Sequence, residues 1–450
     1  MTLLAINWSE FAVKAGQFIL SFSIIVVLHE MGHFLPAKWF KCRVEKFYLF
    51  FNPYFSLFKK KIGETEYGLG WVPFGGYVKI SGMIDESMDK DAMKLPPQPW
   101  EFRSKPAWQR LIIMIGGVTV NLILGFLIYA MMLWHWGDTY IANDKLQYGI
   151  ATDSLAQSIG LRDGDQIKAV DGKYEKKFRA ISLSLLLKNV KTLTVERDGK
   201  LVDVQVPKNF AAQVLSRKAL NFLDVRYPFR SVDTIIANSP SEKAGFKKGD
   251  KILTVAGTPV PYFSDFRKIT AKNKSKTVDV TLIRDGDTLA KQVTVSPEGV
   301  FGLGHLSLYA GENVFDTTKY TFASAIPAGF TKSVETIQGY WLQLKLIFSK
   351  DVKASENIGS VISIGKMFPS EWDWQSFWGL TAFFSLVLAF MNILPIPALD
   401  GGHALFTLYE MISGRKPSDK FIEYAQMVGM ILLLGLMAYA LGMDIFRLFK

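Results

Sequence analysis

Four long apolar stretches dominate the pattern of hydrophobic and polar positions along the chain, at Ala15–Ala37, Leu111–Trp136, Phe377–Leu399 and Met427–Met443. Each approaches or exceeds the roughly 20 residues that a helix needs to span a bilayer. The first stretch lacks the basic n-region and the small-residue cleavage site of a signal peptide, and it contains Glu30, so we expect it to be retained. The pattern predicts an α-helical integral membrane protein with four transmembrane helices.

The segment after the first stretch is rich in aromatic residues, β-branched residues and glycine, and its sequence is FYLFFNPYFSLFKKKIGETEYGLGWVPFGGYVKISG. This composition predicts short strands and turns instead of a helix. The segment is too apolar for a solvated loop, so we expect part of it to enter the bilayer, where irregular backbone needs a cover of protein or water. We therefore predict a membrane-associated β segment with a strand edge available around Tyr67–Ile80.

The region between the second and third stretches contains an internal repeat. Ser154–Gly172 aligns without gaps on Ser239–Gly257, at a constant offset of 85 residues. Each copy is followed by two alternating strands around an Asp-Gly turn, which is the pattern of a hairpin. The repeat resembles PDZ domains in their bacterial form, which typically bind an extended peptide at a sheet edge. We expect two inserted β-rich PDZ-like domains, at residues 140–222 and 223–310.

The rest of the chain is divided by the apolar stretches. Residues 333–348 have the spacing of an amphipathic helix, which lies along the membrane surface or lines a partner domain. The expected segments outside the repeat are a first transmembrane helix at 1–38, the β segment and a cytosolic loop at 39–110, a second transmembrane helix at 111–137, a connecting region at 311–374, a third transmembrane helix at 375–400, a cytosolic loop at 401–426 and a fourth transmembrane helix at 427–450.

Composition and charge agree with a membrane protein. The hydrophobic fraction is 49%, and the formal net charge of +11 comes from dispersed basic residues without any nucleic-acid motif, so we expect no nucleic-acid partner. The basic residues flank particular spans, and loops that carry them are cytosolic by the positive-inside rule. They are Lys38, Lys41, Arg43, Lys46, Arg103, Lys105, Arg110, Arg415, Lys416 and Lys420. The repeat, whose flanks are acidic, and both termini are then expected on the other side.

The first span ends in HEMGH, an ionisable cluster that is costly in a bilayer unless it is paired or hydrated. His29 and His33 are four residues apart, so on a helix both face one side and can bind one ion. Glu30 lies beside them and can take a proton from water without being a ligand. A catalytic zinc ion takes three protein ligands, and the sequence MNILPIPALDGGHALF leaves Asp400 and His403 as candidates for the third.

The third span is interrupted shortly before these candidates, by Pro395 and Pro397. Proline cannot continue a helix, so the chain ahead of Asp400 is free to turn a ligand inward. The first and third spans run in the same direction and carry their polar residues near the same end. We therefore expect one zinc ion, held within the membrane near the cytosolic side.

The HExxH motif, the later pattern N-x-x-P-x-P-x-L-D-G-G and the two PDZ-like domains between them resemble the site-2 protease family of intramembrane zinc metalloproteases over essentially the whole chain. The resemblance implies that His29, His33 and Asp400 bind zinc and that Glu30 is the catalytic base. His403 is then a neighbour with a packing or capping role. The substrate-binding residues that we expect are Asn392, Pro395, Pro397, Gly75 and Gly76.

The second span carries GGVTVN, which resembles the family pattern G-P-x-x-N except that Val118 stands where proline is usual. Two interpretations of Gly117 and Asn121 stay open. They either have a role in the site, or they provide close helix packing and one interhelical hydrogen bond.

The family resemblance implies an intramembrane endopeptidase of the bacterial inner membrane. Its expected partners are the lipid bilayer and single-span membrane proteins that another protease has already cut, such as anti-sigma factors and signal-peptide remnants. The PDZ-like domains and both termini are expected in the periplasm. Two alternatives are a catalytically silent scaffold that gathers membrane proteins through its PDZ-like domains, and a metal transporter. The intact HEMGH motif argues against the scaffold, and the lack of an inverted repeat of the spans argues against the transporter.

Overall fold

The computed structural model describes residues 8–83, 96–216, 222–229, 231–305, 314–347 and 360–448. Residues 84–95 of the expected cytosolic loop, the last residues of the second repeat copy, part of the connecting region and both termini lie outside these ranges. The chain forms two compact units. Among the described residues, one comprises those of 8–137, 319–347 and 360–448, and the other comprises those of 138–318.

The helices and strands are numbered here in chain order. The helices are α1 Trp8–Trp39, α2 Ala107–His135, α3 Ser154–Ser158, α4 Phe178–Leu187, α5 Phe210–Ser216, α6 Pro240–Lys243, α7 Phe263–Lys272, α8 Phe322–Ile347, α9 Val361–Gly365, α10 Trp374–Ile393, α11 Asp400–Ser413 and α12 Asp419–Leu448. The strands are β1 Val44–Phe51, β2 Phe58–Ile62, β3 Thr65–Leu69, β4 Val72–Ile80, β5 Asp138–Ile141, β6 Ile150–Thr152, β7 Gln166–Val170, β8 Thr192–Arg197, β9 Lys200–Gln205, β10 Leu223–Val225, β11 Val232–Ile235, β12 Lys251–Val255, β13 Thr258–Pro259, β14 Thr277–Arg284, β15 Asp287–Thr294, β16 Leu303–His305 and β17 Phe315–Thr318.

Four of these helices are long and apolar enough to cross a bilayer, namely α1, α2, α10 and the Lys420–Phe446 part of α12. Small β-sheets lie between them in the chain, so the predicted fold class is confirmed. The third span is shorter than predicted. It ends at Ile393 because Leu394 and Ile396 each precede a proline, a position that disfavours helical backbone.

The segment at 401–426, expected as a loop, is mostly helical. Helix α11 begins at Asp400 and ends where Gly414 adopts a left-handed conformation, with φ of 69°. Glycine takes this conformation without a steric penalty and is a common helix terminator. Helix α12 then begins at Asp419, earlier than the predicted span.

The first and second spans approach each other closely at a pair of glycines. A Cβ atom on Gly32 would collide with the carbonyl of Gly116, and one on Gly116 would collide with the carbonyl of Gly32. Small residues at such a crossing let two helix backbones touch. Hydroxyl groups add polar contacts between spans, since Thr381 donates to Ser21 and Ser385 donates to the backbone carbonyl of Asn121.

The amphipathic segment forms α8, which is longer than its pattern indicated and packs on the spans. Phe322 lies edge-on to Trp134 and Phe330 edge-on to Phe126, so α8 runs antiparallel to α2. Farther along, Tyr340 contacts Phe390 of α10. The helix therefore packs along the second and third spans of its own unit.

The predicted β segment is a four-stranded sheet in the order β2-β3-β1-β4. Strand β1 pairs parallel to β3 and antiparallel to β4. Within the described part of the chain, the outer edge of β4 has no strand partner. Strand β4 also packs on α1, because a Cβ atom at Gly76 would lie 2.8 Å from Val26 Cγ1 and 3.4 Å from Glu30 Cγ.

The second unit contains two hydrophobic cores, one for each repeat copy. The first core surrounds Ile150 and Leu193 and extends to Tyr227, beyond the expected boundary at 222. The second core surrounds Val232 and Val280. Sheets β7-β8-β9 and β13-β12-β14-β15 contain the hairpins of the two copies. Strands β5 and β17, at the start and end of the unit, pair with each other.

The Gly-Asp element of the repeat has the same role in both copies. Asp165 is buried and receives two hydrogen bonds from Arg197. Asp250 is buried and receives two from Arg284. The aspartates also accept a backbone N–H three residues earlier in the chain. A bidentate pair of this kind fixes the turn against the hairpin in each copy.

Candidate metal centre

Three side chains from two helices meet at the end of the first span. His29 Nε2 and His33 Nε2 are 3.4 Å apart. Asp400 Oδ2 lies 3.3 Å from His29 Nε2 and 3.4 Å from His33 Nε2. Both histidines are buried, and the Asp400 side chain is about one-fifth exposed. The three atoms therefore form a nearly equilateral triangle.

The local sequence explains how this triangle forms. His29 and His33 lie one turn apart on α1, so their imidazoles share a face. Asp400 is the first residue of α11, placed there by the interrupted helix ahead of it. The third wall is α2, where a Cβ atom on Gly117 would lie 2.6 Å from His29 Cε1 and would collide with His33 Nε2. Gly117 therefore leaves the space that the two imidazoles occupy.

The triangle fits a tetrahedral metal ion. In tetrahedral zinc sites the ligand atoms lie about 2.0–2.2 Å from the metal, which places any two of them about 3.3–3.6 Å apart. Asp400 Oδ2 is buried and, although close to both imidazoles, makes no hydrogen bond with suitable geometry. A buried carboxylate oxygen in that condition is satisfied by a cation. Two imidazoles and one carboxylate also leave a fourth position open, as catalytic zinc requires.

Each histidine has a polar group beside its Nδ1 atom. His33 Nδ1 lies 2.8 Å from the backbone carbonyl of Ile113, so it donates there and leaves Nε2 for a metal. His29 Nδ1 lies 3.2 Å from the side-chain amide of Asn121. The amide of Asn392 lies 3.3 Å from His29 Nε2, which places Asn392 beside the metal position.

The triangle opens onto a cavity of about 790 Å³. Glu30 lies on the wall of this cavity with the three ligand residues. The edge strand β4 forms another part of the wall through residues Gly76–Ile80. Methionines supply part of the apolar lining, and they are Met83, Met114 and Met430. An extended chain lying along β4 would therefore pass within the same cavity as Glu30 and the metal ligands.

The predicted site residues divide into two groups. Those at the cavity are His29, Glu30, His33, Asn392, Asp400 and Gly76. Gly75, Pro395 and Pro397 are not among the lining residues. Gly75 packs against Phe51, with φ of 148°, and the two prolines lie in the connection between α10 and α11.

Sequence reasoning missed polar residues of the cavity, among them Gln426. Its side-chain amide lies 2.7 Å from His403 Nε2, and both residues line the cavity. His403 is one turn after Asp400 on α11 and is not part of the ligand triangle. The only sequence signal for Gln426 is a polar residue at the start of an apolar span, which is too common to identify a site.

Comparison with known proteins agrees with this geometry. Residues 17–436 match Peptidase family M50. The chain belongs to peptidase family M50. Over 98% of this chain and the full length of the relative, it is 28% identical to regulator of sigma-E protease RseP of Escherichia coli strain K12. It is 26% identical, over the same shares, to regulator of sigma E protease of Haemophilus influenzae. This M50 peptidase is a zinc metalloprotease whose candidate metal site is His29, His33 and Asp400.

Proposed function

We propose that this M50 peptidase cleaves a peptide bond within the membrane-spanning segment of single-span proteins. The single observation that carries the proposal is the shared cavity between apolar helices. It joins a three-ligand metal site to a strand edge that has no strand partner among the residues that the structure describes. Hydrolysis needs water, and a transmembrane substrate keeps its scissile bond in the bilayer. The metal site has to lie at the depth of that bond for the two to meet.

The residues of the site would have different roles in the reaction. His29, His33 and Asp400 would hold the ion, and zinc in such a site supplies Lewis-acid activation of water and of a carbonyl group. Glu30 takes the proton of the attacking water and passes it to the leaving amine. The Asn392 amide, 3.3 Å from His29 Nε2, is close enough to donate a hydrogen bond to the substrate carbonyl oxygen.

Strand β4 can supply hydrogen-bond partners to the backbone of an unwound substrate. A helix hides each carbonyl in a hydrogen bond to the amide four residues later, so the substrate must unwind before attack. Unwound backbone in an apolar environment needs new partners. The outer edge of β4 offers a row of backbone donors and acceptors beside Glu30, which supports β-addition of the substrate.

The substrate class and location rest on the relatives and on charge. The relatives from Escherichia coli and Haemophilus influenzae are named as regulators of sigma-E protease, which supports anti-sigma factors as substrates, with signal-peptide remnants as a second group. The bacterial relatives support an inner-membrane protein, and the positive-inside rule supports a metal site near the cytosolic side. The PDZ-like repeat copies and both termini would then be periplasmic.

A substrate trap tests the proposal. We would express Glu30→Gln in the native membrane and identify by mass spectrometry the proteins that accumulate with it relative to the wild type. We expect uncut single-span proteins whose outer domains have already been removed. The proposal is wrong if both forms retain the same proteins in the same cleavage state, which is what a silent scaffold would give.

A further inference from the structure

A buried amide on the second span is aimed at one metal ligand and is incompletely bonded. Asn121 is fully buried on α2, and its Nδ2 lies 3.2 Å from His29 Nδ1. Its side-chain oxygen is buried without a hydrogen-bond partner. An unpaired buried amide oxygen costs free energy, so this position calls for an explanation.

The metal site fixes where the proton of His29 must be. His29 Nε2 is the atom that lies in the ligand triangle, beside His33 and Asp400. A neutral imidazole that binds a metal through Nε2 carries its proton on Nδ1. An amide NH₂ group that faces this N–H cannot form a hydrogen bond with it, because both groups are donors. The amide oxygen and nitrogen have nearly the same shape, and their assignment follows from the hydrogen bonds around them.

We propose that Asn121 is a positioning residue for the metal ligand His29. Its side-chain oxygen accepts the N–H of His29 Nδ1, in the place where the amide now lies. Exchanging the positions of the side-chain oxygen and nitrogen of Asn121 means that two donors no longer face each other. It also gives the oxygen a hydrogen-bond partner. The bond fixes both the tautomer and the ring orientation that leave Nε2 for the metal.

The same helix performs the equivalent task for the other histidine. His33 Nδ1 donates to the backbone carbonyl of Ile113. Ile113, Gly117 and Asn121 are spaced four residues apart, so they follow one face of α2. That face offers an acceptor at each end and, at Gly117, space for both imidazoles between them. If Asn121 only joined two helices by a hydrogen bond, its side-chain oxygen would not need to face His29 Nδ1.

Zinc affinity tests this role without depending on which substrate is cut. We would measure it on the purified full-length protein by competition with chelators of known zinc affinity. Asn121→Leu keeps the size of the side chain and removes the acceptor, so we expect zinc to bind about 10- to 100-fold more weakly. Asn121→Asp keeps an acceptor in place, so we expect its zinc affinity to stay within a few-fold of the wild-type value or to exceed it.

Two further variants keep the test decisive. Thr119 is exposed on α2, and its hydroxyl donates to the backbone carbonyl of Ile115 in the same helix. Thr119→Val should therefore leave the zinc affinity unchanged. Asn121→Ala replaces Asn121→Leu if the larger side chain prevents folding, with the same expected loss. The proposal is overturned if the apolar variant that folds keeps wild-type zinc affinity, or if Asn121→Asp is weakened as much as that variant.

Discussion

At the scale of single residues, the metal ligands and the proposed base are adjacent in sequence but differ in role. Glu30 lies on the cavity wall and outside the triangle of ligand atoms. Glu30→Gln should therefore keep about one zinc per chain and lose cleavage, because the amide cannot take a proton from water. Elemental analysis and a cleavage assay on the same preparation check both parts. Loss of zinc from this variant would make Glu30 a ligand.

Asp400 and His403 are one turn apart on α11 and provide a matched pair. Asp400→Ala removes one corner of the triangle, so we expect it to lose both zinc and activity. His403→Ala removes a partner of Gln426 and no ligand, so it should keep its zinc and most of its activity. Zinc content of the two purified variants decides between them. The opposite pattern would identify His403 as the third ligand.

The spacing of His29 and His33 along one helix is a local property that the sequence shows. The same local reasoning left Asp400 and His403 both open as the third ligand, and only the family resemblance favoured Asp400. The sequence also left Asn121 open between packing and a role in the site. Its distance to His29 comes from the crossing of two helices that are far apart in the chain. The pairing of Gln426 with His403 arises in the same way, from α12 packing near α11. Such contacts are set by tertiary packing, which spacing within one segment does not report.

At the scale of the secondary-structure elements, the position of β4 against α1 decides whether substrate meets the base. Gly76→Ala would place a methyl group 2.7 Å from the carbonyl of Tyr48 and 2.8 Å from Val26, so β4 would have to shift. We expect cleavage to fall on the order of 10- to 100-fold with zinc retained, because small displacements of the reacting groups are costly. Gly16→Ala is a matched control, since a methyl group there meets no atom within 4 Å. Equal activity of the two variants would show that the position of β4 against α1 does not matter for cleavage.

The Gly-Asp turn of the second repeat copy supports a stability prediction. Burial by itself raises the pKa of Asp250, but the hydrogen bonds from Arg284 and the backbone lower it overall. The ionised pair therefore stabilises the fold above pH of about 4, and this contribution is lost as pH falls further. At neutral pH, Asp250→Asn should cost about 3–5 kcal/mol, the usual cost of breaking a buried pair.

Hydrogen exchange of residues 231–305 in the full chain measures that cost. Asp233→Asn is the control, since Lys248, its ion-pair partner, is largely exposed, and exchange should change much less than in Asp250→Asn. Exchange that is equally slow in the wild type and Asp250→Asn at neutral pH would contradict the prediction.

The elements also show where sequence patterns stop being informative. The four spans are long apolar stretches and the repeat aligns on itself without gaps, so both are strong sequence signals, and the structure contains both. Helix α11 was expected as part of a cytosolic loop because basic residues lie between the last two spans, but the charge pattern that places a loop does not report its backbone, and Asp400–Ser413 is helical. Helix α8 has an amphipathic pattern, which is equally suited to a membrane surface and to packing on other helices. The choice between these depends on the spans it meets.

At the scale of the whole molecule, the second unit is inserted into the chain through paired strands. Asp138 and Thr318 are register partners in β5 and β17, so the chain enters and leaves the unit at neighbouring positions. Ala142 donates its backbone N–H to Val314. Residues 143–313 can therefore be replaced by Asn-Gly, which favours the tight hairpin turn that these strands would need.

This replacement tests whether the repeat copies act as a gate that excludes substrates with intact outer domains. A size gate predicts that the shortened protein cuts a full-length single-span protein that the wild type rejects. Recognition of a newly exposed C-terminus by a PDZ-like groove predicts instead slower cutting of the truncated substrate. Both substrates should be assayed in liposomes with the zinc-loaded proteins. Continued rejection of the full-length substrate by a folded, zinc-binding variant would exclude gating.

The central claim is that this M50 peptidase uses the His29, His33 and Asp400 site to cut inside a membrane span. The most direct measurement is mass spectrometry of the products that the purified, zinc-loaded protein makes from a single-span substrate, with Glu30→Gln run in parallel. We predict new termini within the apolar stretch of the substrate, and none with the variant. Cleavage only outside that stretch, or the same products from Glu30→Gln, would contradict the account.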